Sequence, residues 1–196
     1  LDEARKRYRE ALAIEDLPES MQITLNLTLG QIYLMDELYS EARDRFDRLL
    51  TFEGQNTPGN RVLLASALIG LEQWSEARPL LQSAVEEMEG RGETPRENWL
   101  ALLSSVHYAL DDFPAMRSII EKLVVLYPRE QYLMNLAALH GQLGEEVKQL
   151  ALLESLLDDG RLRRSANLQL VANLYLGAGL PHKAATLLET ALDDGG

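Results

Sequence analysis

Small residues recur along this chain in a step that a stack of similar units explains. Gly30, Ala65, Ser104, Ala137 and Ala172 follow one another at intervals of 35, 39, 33 and 35 residues. A second series, Ala42, Ala77, Met116, Gln149 and Ala184, keeps the same rhythm. Four residues beyond each stands a large apolar side chain: Phe46, Leu81, Ile120, Leu153 and Leu188. Tyr39, Trp74 and Phe113 keep step as well. A period of this length marks a unit that cannot bury its apolar face alone and must stack on its neighbours. Gly30 shows what each unit gains. A glycine inside a helical pattern costs about 1 kcal/mol relative to alanine. Two helices approach closely only where side chains are small, so burial and dispersion along the contact offset that cost. Gly30 and Ala42 are expected to face each other across it.

The residues that keep this rhythm resemble the tetratricopeptide (TPR) pattern. Leu29-Gly30-x-x-Tyr33 matches its first-helix motif and Ala42-x-x-x-Phe46 its second. The pattern recurs from Asn173 to Leu192, and half a unit survives in Ala4, Tyr8 and Ala11. The fold class expected is all-α, a right-handed superhelical solenoid of antiparallel helix pairs. One solenoid is expected over 1–196. Residues 1–16 form the second helix of a truncated repeat, and repeats follow over 23–56, 58–91, 97–129, 130–161 and 165–194. MDELY, GLEQW, LDDF, QLGEE and GAGLP read as short turns between antiparallel helices. NTPGN and ETPREN open new units, with Thr94 as N-cap, Pro95 at the first helical position and Glu97 completing a capping box. Pro114 and Pro181 start second helices, and Pro128 closes one. Pro79 falls in the first turns of its helix, where it would remove one backbone bond and bend the axis. Met116 and Gln149 replace the small residue of the second series, so packing there is expected to be looser or the helices slightly rotated. The linker MEGRGETP carries the extra residues of the 39-residue step, and a mobile loop or a change of curvature is expected there.

Charge narrows the function classes. Nineteen basic against thirty-one acidic residues leave a formal net charge of −12. A surface this negative repels phosphate backbones and anionic lipid, which argues against nucleic-acid binding. No apolar run reaches the ~20 residues that span a bilayer, so no direct membrane insertion is expected of this segment. There is no cysteine, which excludes disulfides, thiolate catalysis and cysteine-ligated zinc. The chain opens at Leu1 without an initiator methionine, in text that reads as the middle of a helical hairpin. A fragment is expected, and any leader or anchor is left open.

Nothing in the motifs carries chemistry. His107 and His140 stand one repeat apart, too far for a shared metal, and read as core histidines in a tyrosine-sized slot. His182 reads as a surface residue beside a helix N-terminus. The pairs Asp111-Asp112, Asp158-Asp159 and Asp193-Asp194 fall at turns or helix ends, where aspartate caps helices. No phosphate loop, nucleophile elbow or zinc motif is present. The chain is expected to be no enzyme, with no cofactor and no metal. Arg161, Arg163 and Arg164 form one basic cluster, either a solvated helix start or a patch for an acidic partner.

In stacked repeats the first helix of each unit lines the concave side, and the family resemblance implies a protein or peptide partner there. The phase set by Gly30 and Tyr33 places Gln31, Leu34, Ser66, Ile69, Ser105, Tyr108, Asn135, Ala138, Gln169 and Asn173 on that face. The face is neutral and partly apolar. It lacks the cations with which some TPR proteins grip a terminal carboxylate, so an extended or helical segment in shallow pockets is the expected ligand.

The stretch from Glu97 to Leu192 is similar to a family of TPR proteins whose genes lie beside TonB–ExbB–ExbD genes in gammaproteobacteria. That resemblance implies a periplasmic, non-catalytic accessory protein of TonB-dependent transport, with TonB-system components among its partners. The alternatives are a general cytoplasmic TPR adaptor and an enzyme subunit with a helical-repeat module. The oligomeric state stays open.

Overall fold

The computed structural model describes residues 2–162 and 165–193. Among them are eleven helices and no strand. They are α1 (Asp2–Leu12), α2 (Glu19–Met35), α3 (Tyr39–Leu50), α4 (Pro58–Gly70), α5 (Trp74–Gly90), α6 (Glu97–Ala109), α7 (Phe113–Leu126), α8 (Glu130–Gln142), α9 (Glu146–Asp158), α10 (Ser165–Gly177) and α11 (Pro181–Asp193). The chain divides into two compact units, Leu1–Ile119 and Ile120–Gly196, and the division falls inside α7.

In the first unit α1 packs on α2, and α2 through α5 each pack on the next helix in order. In addition α2 approaches α4 and α4 approaches α6, whereas no such approach joins α3 to α5 among the described residues. The first helices of successive pairs therefore form an inner layer, and α3 and α5 lie outside it. In the second unit α8, α9, α10 and α11 pack in sequence order. Its core gathers Ala137, Leu153, Leu156, Leu162, Val171, Ala172, Tyr175 and Ala184.

One backbone device ends every first helix. Leu38 N–H donates to Tyr33 O at 2.8 Å, and the same six-residue closure joins Gln73 to Leu68, Asp112 to His107, Glu145 to His140 and Leu180 to Tyr175, all at 2.8–2.9 Å. The residue before each donor has positive φ: Glu37 58°, Glu72 58°, Asp111 55°, Gly144 70° and Gly179 74°. This is the Schellman closure, which satisfies carbonyls that the helix end leaves open. It reverses the chain in three residues and so sets each helix beside the one before it.

The small-residue series is buried. Ala65, Ala42 and Ala77 have no exposed surface, and Ala137, Ala172 and Ala184 have almost none. Gly30, however, does not meet Ala42 through its missing side chain. A Cβ there would lie 2.6 Å from Phe46 Cε1, so the Phe46 ring fills that space. The glycine accommodates the large residue of the motif, one helical turn beyond the small one. Gly70 is likewise covered by the ring of Tyr39, which locks the start of α3 onto the end of α4. At Gln149 the expected loosening is offset locally. Its side chain is buried, and its amide lies where a Cβ on Gly141 would need to be, 2.7 Å from Nε2. Leu188 departs from its series: it is 41% exposed, because among the described residues α11 packs on α10 alone.

Two further expectations are corrected. Thr94 is not the N-cap of α6, which begins at Glu97 after Arg96. The Thr-Pro cap occurs instead at α4, where Thr57 Oγ1 accepts from Asn60 N–H at 3.3 Å and Pro58 takes the first turn. The extra residues of the 39-residue step do not form a long loop. Met88–Gly90 continue α5 to 17 residues, and Gly92, at φ 72°, closes it with Glu93 N–H on Met88 O. Pro79 lies in the first turns of α5, as its place in the sequence indicates, and is exposed.

Candidate functional site

The inner helices of the first unit each pack on two or more neighbours and keep one side out of the core. Of the positions assigned to this face, none is buried: Gln31, Ser105, Tyr108, Asn135, Ala138, Gln169 and Asn173 are exposed, and Leu34, Ser66 and Ile69 are half-buried. In the first unit, α2, α4 and α6 set Gln31, Ser66 and Ser105 at one position of the repeat. Leu34, Ile69 and Tyr108 follow one turn on. The second unit carries Asn135 and Ala138 on α8 and Gln169 and Asn173 on α10. Sequence reasoning passed over two exposed apolar residues of these helices, Met35 at 74% and Leu176 at 55%. Leu176 holds the Leu34 position of α10, so the repeat register alone identifies it.

Hydrogen bonding limits what these groups can offer. Ser66 Oγ donates to Val62 O at 2.8 Å and Ser105 Oγ to Leu102 O at 2.7 Å, so each hydroxyl is left to accept. Gln131 Nε2 donates to Asn135 Oδ1 at 2.8 Å, which leaves the Asn135 amide N–H groups to donate. Tyr108 packs edge-on against Phe113, with ring centroids 6.4 Å apart. The stripe thus offers apolar contact with scattered single donors and acceptors.

The histidines are core residues beside carboxylates. His140 is buried and its Nδ1 lies 2.5 Å from Glu145 Oε2. His107 is buried too, with Nδ1 3.3 Å from Asp112 Oδ2 but without hydrogen-bond geometry. Each carboxylate belongs to the turn that follows its histidine's helix, so the pair ties helix end to turn. Asp112 also caps α7, its Oδ1 accepting from Ala115 N–H at 3.2 Å. His182 is exposed at the start of α11. Among the described residues no group of three or more His, Asp or Glu could hold a metal ion, and no helix is long and apolar enough to cross a membrane. Of the basic cluster, Arg161 is half-buried after α9, while Arg163 and Arg164 lie outside the described residues.

Two polar networks pin helices to one another. Arg61 of α4 donates to Asn56 O and Oδ1 and to Glu87 of α5, which also accepts from Arg91. The bond from Arg61 holds the Glu87 carboxyl below its ordinary range, against partial desolvation. In the second unit Glu154 Oε1 of α9 accepts from Lys183 Nζ of α11 at 2.8 Å and from Tyr175 Oη of α10 at 2.9 Å. Those two bonds lower the Glu154 pKa, that from Lys183 foremost. Burial, with the carboxylate beside it, pushes Tyr175 up to about 12.

No family model matches the chain, and no curated protein matches it. Solved structures do. A crystal structure of MamA superposes with a TM-score of 0.70 at 16% identity, covering 89% of this chain and 92% of that one. A structure of MamA AMB-1 gives 0.70 at 13%, covering 91% and 95%. Another crystal structure of MamA gives 0.65 at 17%, covering 84% and 93%. At this identity the likeness establishes the fold: all-α, a TPR-like helical repeat.

Proposed function

We propose that the chain is a non-catalytic protein–protein interaction scaffold that holds a peptide segment of its partner on the exposed stripe of its first helices. The observation that carries this reading is that no residue of that stripe is buried. Residues at matching positions of α2, α4 and α6 stay out of the core together, exposed on α6 and half-buried on α4, while other sides of these helices are packed. Burying apolar side chains there contributes about 25 cal/mol per Å², and the amides and hydroxyls fix the segment's register. Asn135, Ala138, Gln169 and Asn173 offer the same chemistry within the second unit. Arg161, Arg163 and Arg164 are a second contact, for an acidic part of the partner, proposed from their sequence clustering.

The finer placement is in the cell envelope, as a periplasmic accessory of a TonB-dependent system. It is supported by the resemblance of Glu97–Leu192 to that group of TPR proteins. A cytoplasmic adaptor role is the competing placement. A photo-crosslinking residue placed at Gln31, Ser66 or Ser105 of the chain should capture one and the same protein in its native cell, and placed at Asp47 or Gln82 it should not. An envelope protein captured this way supports the TonB placement, and a cytosolic one removes it. Capture that is equal from both sets of positions would sink the face assignment. With the purified partner, joint replacement of Asn135 and Asn173 by Ala should weaken binding, and unchanged affinity would remove those two residues from the site.

A further inference from the structure

The inner helices of the first unit are almost without cations. Helices α2 and α6 contain no Lys or Arg, and α4 contains only Arg61, which is held by Asn56 and Glu87. The edge at which these helices end is acidic. Glu37, Glu72 and Asp111 occupy the same position of three successive Schellman turns, and all three are exposed. None forms an ion pair among the described residues. The C-termini of α2, α4 and α6 add the negative ends of three helix dipoles at this edge.

The edge already draws the chain's own cations. Arg5 of α1 pairs with Asp36 at 2.9 Å, and Arg78 of α5 stands 4.0 Å from Asp112. Gln73, in the turn between them, has its Oε1 buried with no hydrogen-bond partner among the described residues, so it adds no cation to this edge.

We propose that the occupant of this face is a basic segment of a partner protein. Its apolar side chains lie on Leu34, Ile69 and Tyr108, and its Lys or Arg side chains reach Glu37, Glu72 and Asp111. The assignment rests on the face reading above and adds the charge of the ligand. An acidic segment would meet unopposed carboxylates, and a neutral one would leave them unused.

The test selects a random dodecapeptide display library against the full chain. Two triple variants serve as probes of charge: Glu37→Gln/Glu72→Gln/Asp111→Asn at the edge, and Asp44→Asn/Asp47→Asn/Glu86→Gln on the outer helices. A third, Leu34→Ala/Ile69→Ala/Tyr108→Ala, removes the apolar stripe without changing charge. Circular dichroism and thermal melts confirm that each variant is folded. Enriched peptides should carry Lys or Arg beside apolar residues. Their affinity should fall about tenfold or more in the edge variant and by less than about twofold in the outer one. It should also fall with added salt. Neutral or acidic peptides that are lost in the stripe variant would overturn the charge assignment and leave the face standing. Basic peptides weakened equally by both charge variants would overturn it as non-specific attraction. Peptides indifferent to the stripe variant would remove the face reading and this one with it.

Discussion

The ring of Phe46 sits in the space that a side chain on Gly30 would need, with Cε1 2.6 Å from the position of a Cβ. Phe46 is fully buried and cannot retreat. Two effects therefore oppose each other in Gly30→Ala. Helix propensity favours the change by about 1 kcal/mol. Overpacking against a rigid ring costs about 1–3 kcal/mol. The variant should be destabilised by roughly 1 kcal/mol or more in urea unfolding. A stabilised variant would show that the ring has room to move.

Gly141 and Gln149 should behave as a coupled pair. Gly141→Ala alone pushes on the buried amide of Gln149 and should destabilise. In a Gln149→Ala background the pressure is gone and propensity decides, so the same substitution should become neutral or favourable. The double-mutant cycle should give a coupling of about 1 kcal/mol. Additivity would mean that the two side chains do not compete for one space.

Glu37 and Glu72 hold a left-handed conformation, at φ 58°, that costs an L-residue about 1–2 kcal/mol. Glycine avoids that strain but loses about 0.4–1 kcal/mol through the freer unfolded chain. Glu37→Gly and Glu72→Gly should each raise stability by about 0.5 kcal/mol. Gly144→Glu should lower it, since the same turn already has its preferred residue. Thermal melts of the three single variants check both directions.

The bonds on Glu154 make stability depend on pH at both ends of the scale. Lys183 and Tyr175 lower its folded pKa below the ordinary 4.5. The unfolded chain thus binds the proton first, and the contribution is complete above that value and lost as pH falls through the folded one. Tyr175 titrates the opposite way. Its folded pKa of about 12 lies above the ordinary 10.0, so its contribution is complete below 10 and lost on rising toward 12. Tyr175→Phe should cost about 1 kcal/mol at neutral pH and remove the loss on the alkaline side. Glu154→Gln should flatten both limbs. Denaturation midpoints across the pH range report each slope.

The repeat, its helical character and the sites of its turns were legible before any coordinates, because each rests on local rules. Helical periodicity, turn residues and small-residue spacing repeat five times, and agreement among copies cancels the ambiguity of one. His107, His140 and the Asp112 cap were legible for the same reason. That the stripe positions stay out of the core was legible too, since the phase of a helix follows from its buried side. Thr94 was not, because a capping signature states which residues could cap and not where the chain enters the helix. Leu176 was missed although the register pointed to it.

By itself, then, the sequence determined an array of paired helices, the kind of residue at every close crossing and an inner layer poor in cations. Tertiary structure decided which side chain fills each gap: Phe46 and not Ala42 over Gly30, Gln149 over Gly141, Tyr39 over Gly70. It also decided that the long step lengthens α5 and that five turns share one backbone closure. The reason is geometric. Periodicity sets which side of a helix is buried. The rotation and offset of two facing helices, which choose the partner across the contact, emerge only when all the side chains between them are packed at once.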